Sequence, residues 1–183
     1  YYLTKPDYAL LFLTYRCTSN CKMCTIWKRK KNYKENMELT LDEWKKVIDI
    51  LNKKNVKLIE LFGGDCLIRK EVTIPLIRYI KEKKKIKVDF PTNCNLLDKK
   101  TAIELVKSGL DRIYISLDGP EEIHDKIRGK KGTFDRVQKG LEYLVQAKNK
   151  LNSNTPEIMI NCAISRYNLD SFEKILPFIK DKG

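Results

Sequence analysis

The chain has 183 residues, 42% of them apolar and 33% charged, with 37 lysines and arginines against 24 aspartates and glutamates. That length suits one domain with a real core rather than two large ones, and the composition reads as that of an ordinary soluble globular protein. The net charge of +13 raises RNA or acidic lipid as partners, but its clusters at 28–31, 81–85 and 130–131 lack interleaved aromatics and read as a solvated, lysine-rich exterior.

In chain order, "ALLFLT" at Ala9–Thr14 is a short apolar run and predicts a buried strand. Thr40-Leu-Asp-Glu43 is a capping box, with Trp44, Val47, Ile48 and Leu51 following at helical spacing. "KLIELF" at 57–62 predicts a second strand. Pro75 is expected in the first turn of a helix reaching about Lys83, where its missing N–H is tolerated. "KVDF" at 87–90 predicts a third strand, Asp98 caps a helix through Ile103 and Val106, and Gly109 stops it.

"RIYISL" at 112–117 predicts a fourth strand, with Tyr114, Ser116 and Asp118 on the face opposite Ile113, Ile115 and Leu117. A short helix is expected to carry His124, Asp125 and Arg128, with His124 read as a structural hydrogen-bonding residue. Phe134, Val137, Leu141, Leu144 and Val145 mark the inner stripe of a long helix. "EIMINCAI" at 157–164 predicts a fifth strand, with Asn161 opposite Ile158, Ile160 and Ile164, and Leu169 to about Lys182 a final helix.

Alternating strands and helices imply parallel strands joined by right-handed crossovers, an α/β fold built as an open sheet or a partial (β/α) barrel with five βα units. Ligands in such folds bind at the carboxyl ends of the strands. Those ends carry Cys17, Cys21 and Cys24 after the first strand, Gly63-Gly64-Asp65-Cys66 after the second and Thr92-Asn93-Cys94 after the third. Ser116-Leu117-Asp118-Gly119 stands at the fourth, and Asn161, Cys162 and Ser165 near the fifth.

Six cysteines could pair as disulfides, but a chain this long needs no staples, and three of them fall within eight residues, "CTSNCKMC". A metal-binding loop in a reducing cytoplasm is the expectation. No signal-peptide pattern and no run of about 18 apolar residues is present, so no transmembrane helix is expected. Structural zinc wants four ligands, and the single histidine lies a hundred residues from Cys24. A [4Fe–4S] cluster wants one protein ligand per iron, so three thiolates leave one iron open to a cofactor or substrate.

The spacing C-x-x-x-C-x-Φ-C, with Met23 at the Φ place, resembles the signature of the radical S-adenosylmethionine (SAM) enzymes. The likeness runs through nearly the whole chain. "FGGDC" resembles the family's G-G-E-P stretch, with Asp65 for glutamate and Cys66 for proline; "PTNCNLL" resembles its T-N-G stretch, with Cys94 for glycine. "ISLDGPEEIHDKIRG" is similar to the fourth-strand motif of peptide-modifying and sulfatase-maturing members, and "INCAISRYNLDSFEKIL" to the fifth strand and helix.

The resemblance implies that residues 1–183 form a radical SAM core domain, a fold that usually has six strand–helix units. It implies that Cys17, Cys21 and Cys24 ligate a [4Fe–4S] cluster whose fourth iron binds the amine and carboxylate of SAM. Gly63, Gly64 and Asp65 would hold the amine, Ser116 and Arg128 the carboxylate or ribose, and Met23, Thr92, Asn93 and Asn161 would complete the cofactor site. One electron from an external reductant, such as flavodoxin or ferredoxin, would then cleave SAM to a 5′-deoxyadenosyl radical that abstracts a substrate hydrogen, with a peptide or protein as the favoured substrate.

Two other functional classes fit parts of the sequence: a non-catalytic iron–sulfur module and an RNA-modifying radical enzyme. Trp27 and Tyr33 are expected to pack over the cysteine loop. Cys66, Cys94 and Cys162, arriving singly from three strands, read as small apolar residues, with a second iron–sulfur site or a thiol hydrogen donor as the alternative.

Overall fold

A computed structural model describes residues 5–32, 37–83 and 85–180. Five strands, β1 (Tyr8–Thr14), β2 (Leu58–Gly63), β3 (Lys87–Thr92), β4 (Arg112–Ser116) and β5 (Glu157–Asn161), form one parallel sheet in the order β1-β2-β3-β4-β5. Among the described residues, six α-helices accompany them: α1 (Leu41–Lys53), α2 (Lys70–Lys83), α3 (Lys99–Lys107), α4 (Glu121–Arg128), α5 (Thr133–Lys150) and α6 (Ile175–Lys180). Sequential order with right-handed crossovers puts the connecting helices on one face. That face holds the core, with Ile59, Leu61, Val88, Phe90, Ile113 and Ile115 fully buried. The alternate residues Tyr8, Leu10 and Met159 remain exposed on the other face. The sheet is thus an open partial barrel with an uncovered inner surface.

Local chemistry sets the element ends. The Thr40 hydroxyl accepts from the Glu43 N–H while the Glu43 carboxylate accepts from the Thr40 N–H, closing the expected box on α1. Asp98 accepts from the Thr101 N–H at 2.7 Å to start α3, and Gly109, at φ +76°, ends the turn beyond it.

Several expectations shift. Pro75 sits inside α2 rather than in its first turn, because a 3-10 turn at Cys66–Arg69 runs directly into the helix at Lys70. The fifth strand stops at Asn161, leaving Ile164 58% exposed instead of on the buried side with Ile158 and Ile160. The Asn168 side chain accounts for the early stop. Its amide donates to the Ala163 and Asp118 carbonyls, and its Oδ1 accepts from the Ser165 N–H, curling the chain. The last helix therefore begins at Ile175 after a 3-10 turn at Phe172–Lys174, not at Leu169. Val145, placed in the inner stripe of α5, is exposed. Tyr33 and the expected end of the last helix at Lys182 lie outside the described residues.

Candidate cofactor site

The carboxyl ends of the strands open into a cavity of about 210 Å³. Cys17, Cys21 and Cys24 line it, and so do Met23, Gly63, Gly64, Thr92, Asn93, Ser116, Arg128 and Asn161. Ile26, Trp27, Phe62 and Pro91 supply its apolar wall. Residues as distant in the chain as Cys17 and Ala163 meet here because every parallel strand delivers its carboxyl end to the same rim.

The cysteine loop is pinned on several sides. Trp27 Nε1 donates to the Cys21 carbonyl at 3.0 Å, as its expected packing over the loop requires. The Asn20 and Lys22 N–H groups donate to the Arg128 and Ile127 carbonyls at 3.1 and 2.9 Å. Gly129, at φ +65°, has no room for a Cβ, which would collide with the Asn20 carbonyl. At the base of the loop, buried Glu38 lies between Arg16 and Arg69, its Oε2 2.6 and 3.0 Å from their guanidinium nitrogens. Arg69 also donates to the Leu13 and Leu39 carbonyls, joining the two ends of the segment.

The sulfurs collect donors. Cys17 Sγ accepts from the Ser19 N–H at 3.5 Å and from Asn93 Nδ2 at 3.6 Å, Cys24 Sγ from the Ile26 N–H at 3.4 Å, and Cys21 Sγ from Arg128 Nη1 at 3.8 Å. Burial nonetheless pushes the Cys17 thiol up to about 11 and raises that of Cys21, where Arg128 opposes the shift. Such thiols are poor nucleophiles, and a bound metal centre is what would draw off their protons. Among the described residues, no three His, Cys, Asp or Glu side chains are gathered around a point where one metal ion would sit. A ring of thiols with N–H donors around a cavity suits a polynuclear iron–sulfur centre better than a mononuclear zinc.

Gly63 and Gly64 have a second role that the sequence reading missed. A Cβ on Gly63, at φ +152°, would stand 2.5 Å from the Thr14 carbonyl oxygen; one on Gly64 would stand 3.0 Å from Cys17 Cβ and would overlap the Arg16 carbonyl. The pair lets β2 lie against the start of the cysteine loop as well as against the cavity.

Asp65 is set apart from the other strand-end residues. It is 1% exposed and does not line the cavity; its Oδ1 accepts from the Leu67 N–H at 3.2 Å, capping the 3-10 turn. Being one methylene shorter than glutamate, it is engaged beside its own backbone. Burial pushes its carboxyl up to about 6, with hydrogen bonding to Leu67, Thr92 and Thr18 opposing the shift.

Arg128 owes its position to Asp118, which the sequence reading placed only by strand alternation. The carboxylate is fully buried just past β4, with Oδ2 2.7 Å from Arg128 Nε and Oδ1 accepting from the Ala163 N–H at 3.1 Å. His124 Nδ1 accepts from the Asp118 N–H at 3.1 Å, so the ring is structural as expected; burial, with Arg128 nearby, lowers its pKa to about 4 and keeps it neutral. Cys66, Cys94 and Cys162 do not line the cavity. Cys66 and Cys94 are each 1% exposed, Cys94 packing under Gly140, and both belong to the apolar core.

The sequence profile of the Radical SAM superfamily matches residues 11–176. The chain belongs to the radical SAM superfamily. Members use a [4Fe–4S] cluster and SAM, and the thiol ring and polar rim described above suit those two groups. The radical SAM chain is 30% identical over 172 residues to an AdoMet-dependent heme synthase of Oleidesulfovibrio alaskensis, covering 93% of this chain and 42% of the relative. It is 29% identical over 163 residues to the mycofactocin maturase MftC of Mycolicibacterium smegmatis, covering 88% and 38%. Its fold matches that of Streptococcus suis SuiB bound to S-adenosylmethionine with a TM-score of 0.78, at 18% identity, over 97% of this chain and 38% of the other. The chain spans less than half the length of these relatives. Among the described residues, no helix is long and apolar enough to cross a membrane.

Proposed function

We propose that residues 1–183 are the core domain of a radical SAM enzyme acting on a peptide or protein segment in a reducing, cytoplasmic setting, using electrons from an external one-electron donor. The carrying observation is that the three cysteines and every expected cofactor residue except Asp65 line one cavity at the strand ends.

Cys17, Cys21 and Cys24 would hold the cluster, steadied by the N–H donors of Ser19, Ile26 and Asn93. With both groups bound, the cluster supplies one electron and SAM the 5′-deoxyadenosyl group that takes a hydrogen atom from the substrate. The backbone of Gly63 and Gly64 would face the methionyl amine. Arg128, held by Asp118, would pair with the carboxylate, assisted by Ser116, while Met23, Thr92, Asn93 and Asn161 would border the rest of the cofactor. Ile26, Trp27, Phe62 and Pro91 give an apolar wall that would keep hydrogen-donating solutes from a radical.

A peptide reading is supported by the stretch from Ile115 to Gly129, by the maturase relative, and by the inner sheet face with exposed Tyr8, Leu10 and Met159. A second reading, an iron-porphyrin substrate, is favoured by the heme synthase relative. Anaerobic reconstitution followed by mass spectrometry tests both. Dithionite should yield 5′-deoxyadenosine, and candidate peptides should raise the yield. No 5′-deoxyadenosine refutes the enzyme reading, whereas stimulation by an iron porphyrin and not by peptides favours the second.

A further inference from the structure

Thr18, whose neighbours Cys17 and Ser19 line the cavity, instead lines a separate cleft of about 560 Å³ beside the cysteine loop. The cleft runs between the start of α2, the loop after β3, and α5, and a second hollow continues it toward the α4–α5 turn. Five exposed cations, Lys70, Lys130, Lys131, Arg136 and Lys139, border the two hollows, against two carboxylates, Asp98 and Asp135. Asp98 is already engaged as the cap of α3. Among the described residues, none of the five cations is in an ion pair. The floor between the charges is apolar, with Leu67 and Leu97 buried and Ile68 and Leu96 half-buried.

We propose that this basic cleft is the docking surface for an acidic protein that delivers single electrons to the cluster. An apolar centre within a charged rim is the anatomy of a protein interface, and opposite charge speeds the short-lived encounters that electron transfer needs. The route inward is short. Asn95 Nδ2 donates to Thr18 Oγ1 at 3.0 Å and to Ser19 Oγ at 2.9 Å, and Thr18 Oγ1 donates to Asn93 Oδ1 at 3.3 Å. Asn93 Nδ2 lies 3.6 Å from Cys17 Sγ. The Thr18 and Asn93 side chains thus link the cleft to the Cys17 sulfur.

The cavity itself is unsuited to the donor, because cofactor and substrate would fill it when the electron is needed; the cleft has a separate lining. A nucleic acid is the poorer fit, since among the described residues Tyr143 is the cleft's sole aromatic and is half-buried, leaving no stacking platform. In the step assigned to the cleft, the donor is oxidised by one electron and the cluster reduced by one, with no bond made or broken.

The assignment rests on the cluster reading given above, so its test follows cluster reduction rather than SAM cleavage. The reconstituted protein is mixed anaerobically with reduced flavodoxin, without SAM, and bleaching of the cluster is timed at low and high salt. A neutral small reductant, photoreduced deazariboflavin, serves as control. K131E/R136E/K139E, which leaves the Lys130 contact to the Thr18 carbonyl intact, should slow reduction by flavodoxin about tenfold or more at low salt and remove its salt dependence, leaving the deazariboflavin rate within about twofold. K131A/K139A should give a smaller loss of the same kind. Equal flavodoxin rates in the reversed and unaltered proteins overturn the assignment, as do parallel losses with both reductants. Loss of tRNA binding with flavodoxin reduction intact overturns it in favour of a nucleic-acid surface.

Discussion

Asp118→Asn is the most informative single change. The carboxylate is fully buried and uses both oxygens, Oδ1 toward the Ala163 N–H and Oδ2 toward Arg128 Nε. Asparagine matches its shape but has only one acceptor oxygen, so either orientation sets an NH₂ group against another donor. Breaking a buried charge pair by removing one partner costs about 3–5 kcal/mol. The Arg128 side chain is 11% exposed and keeps its contact with Cys21 Sγ, which favours the lower end. A loss of about 3 kcal/mol is a large share of a typical 5–15 kcal/mol and lowers Tm by roughly 6–12 °C in a chain this long. Anaerobic urea unfolding of Asp118→Asn, Arg128→Met and the double variant measures the coupling directly, and about 2 kcal/mol of non-additivity is expected. Stability of Asp118→Asn within about 0.5 kcal/mol of the unaltered protein, or strict additivity, would refute the reasoning.

Gly64→Ala drives a methyl group into the Arg16 carbonyl and against Cys17 Cβ, so reconstituted protein should bind markedly less iron and sulfide while circular dichroism still reports its helices; normal iron content would contradict this. Asn93→Ala removes a donor from Cys17 Sγ and should lower the cluster midpoint potential in an EPR-monitored titration, with an unchanged or raised value counting against that role. His124 binds its proton more weakly when folded, with a pKa of about 4 against 6.5, so its contribution is full above pH 6.5 and is lost as pH falls toward 4, on the order of 3 kcal/mol. The raised Asp65 carboxyl acts in the opposite sense, stabilising most at low pH and less as pH rises toward about 6. The difference between unaltered protein and His124→Gln isolates the histidine, and parallel pH–stability curves would argue that it does not titrate on unfolding.

Much of the fold was legible because its signals are local. The Thr40–Glu43 box, the Asp98 cap and the Gly109 stop each act within a few residues, and the structure keeps all three. The errors cluster where a distant partner overrides local pattern. Nothing in "INCAISRYNLD" announces that Asn168 will bind the Asp118 carbonyl across 50 positions and end the strand early. Pro75 reads as a helix start only if the preceding 3-10 turn, set by the buried Asp65 cap, is overlooked.

The sequence by itself determined the parallel α/β order, the cysteine triplet and the polar residues closing each strand, since hydrophobic period, turn residues and motif spacing are written along the chain. Only the tertiary structure decided what those residues do to one another: that Asp65 turns inward, that Asp118 aims Arg128 at the cavity, and that Glu38 ties Arg16 to Arg69 beneath the cysteine loop. Burial and ion pairing depend on which remote segments pack together, and that information becomes readable only when the chain is closed on itself.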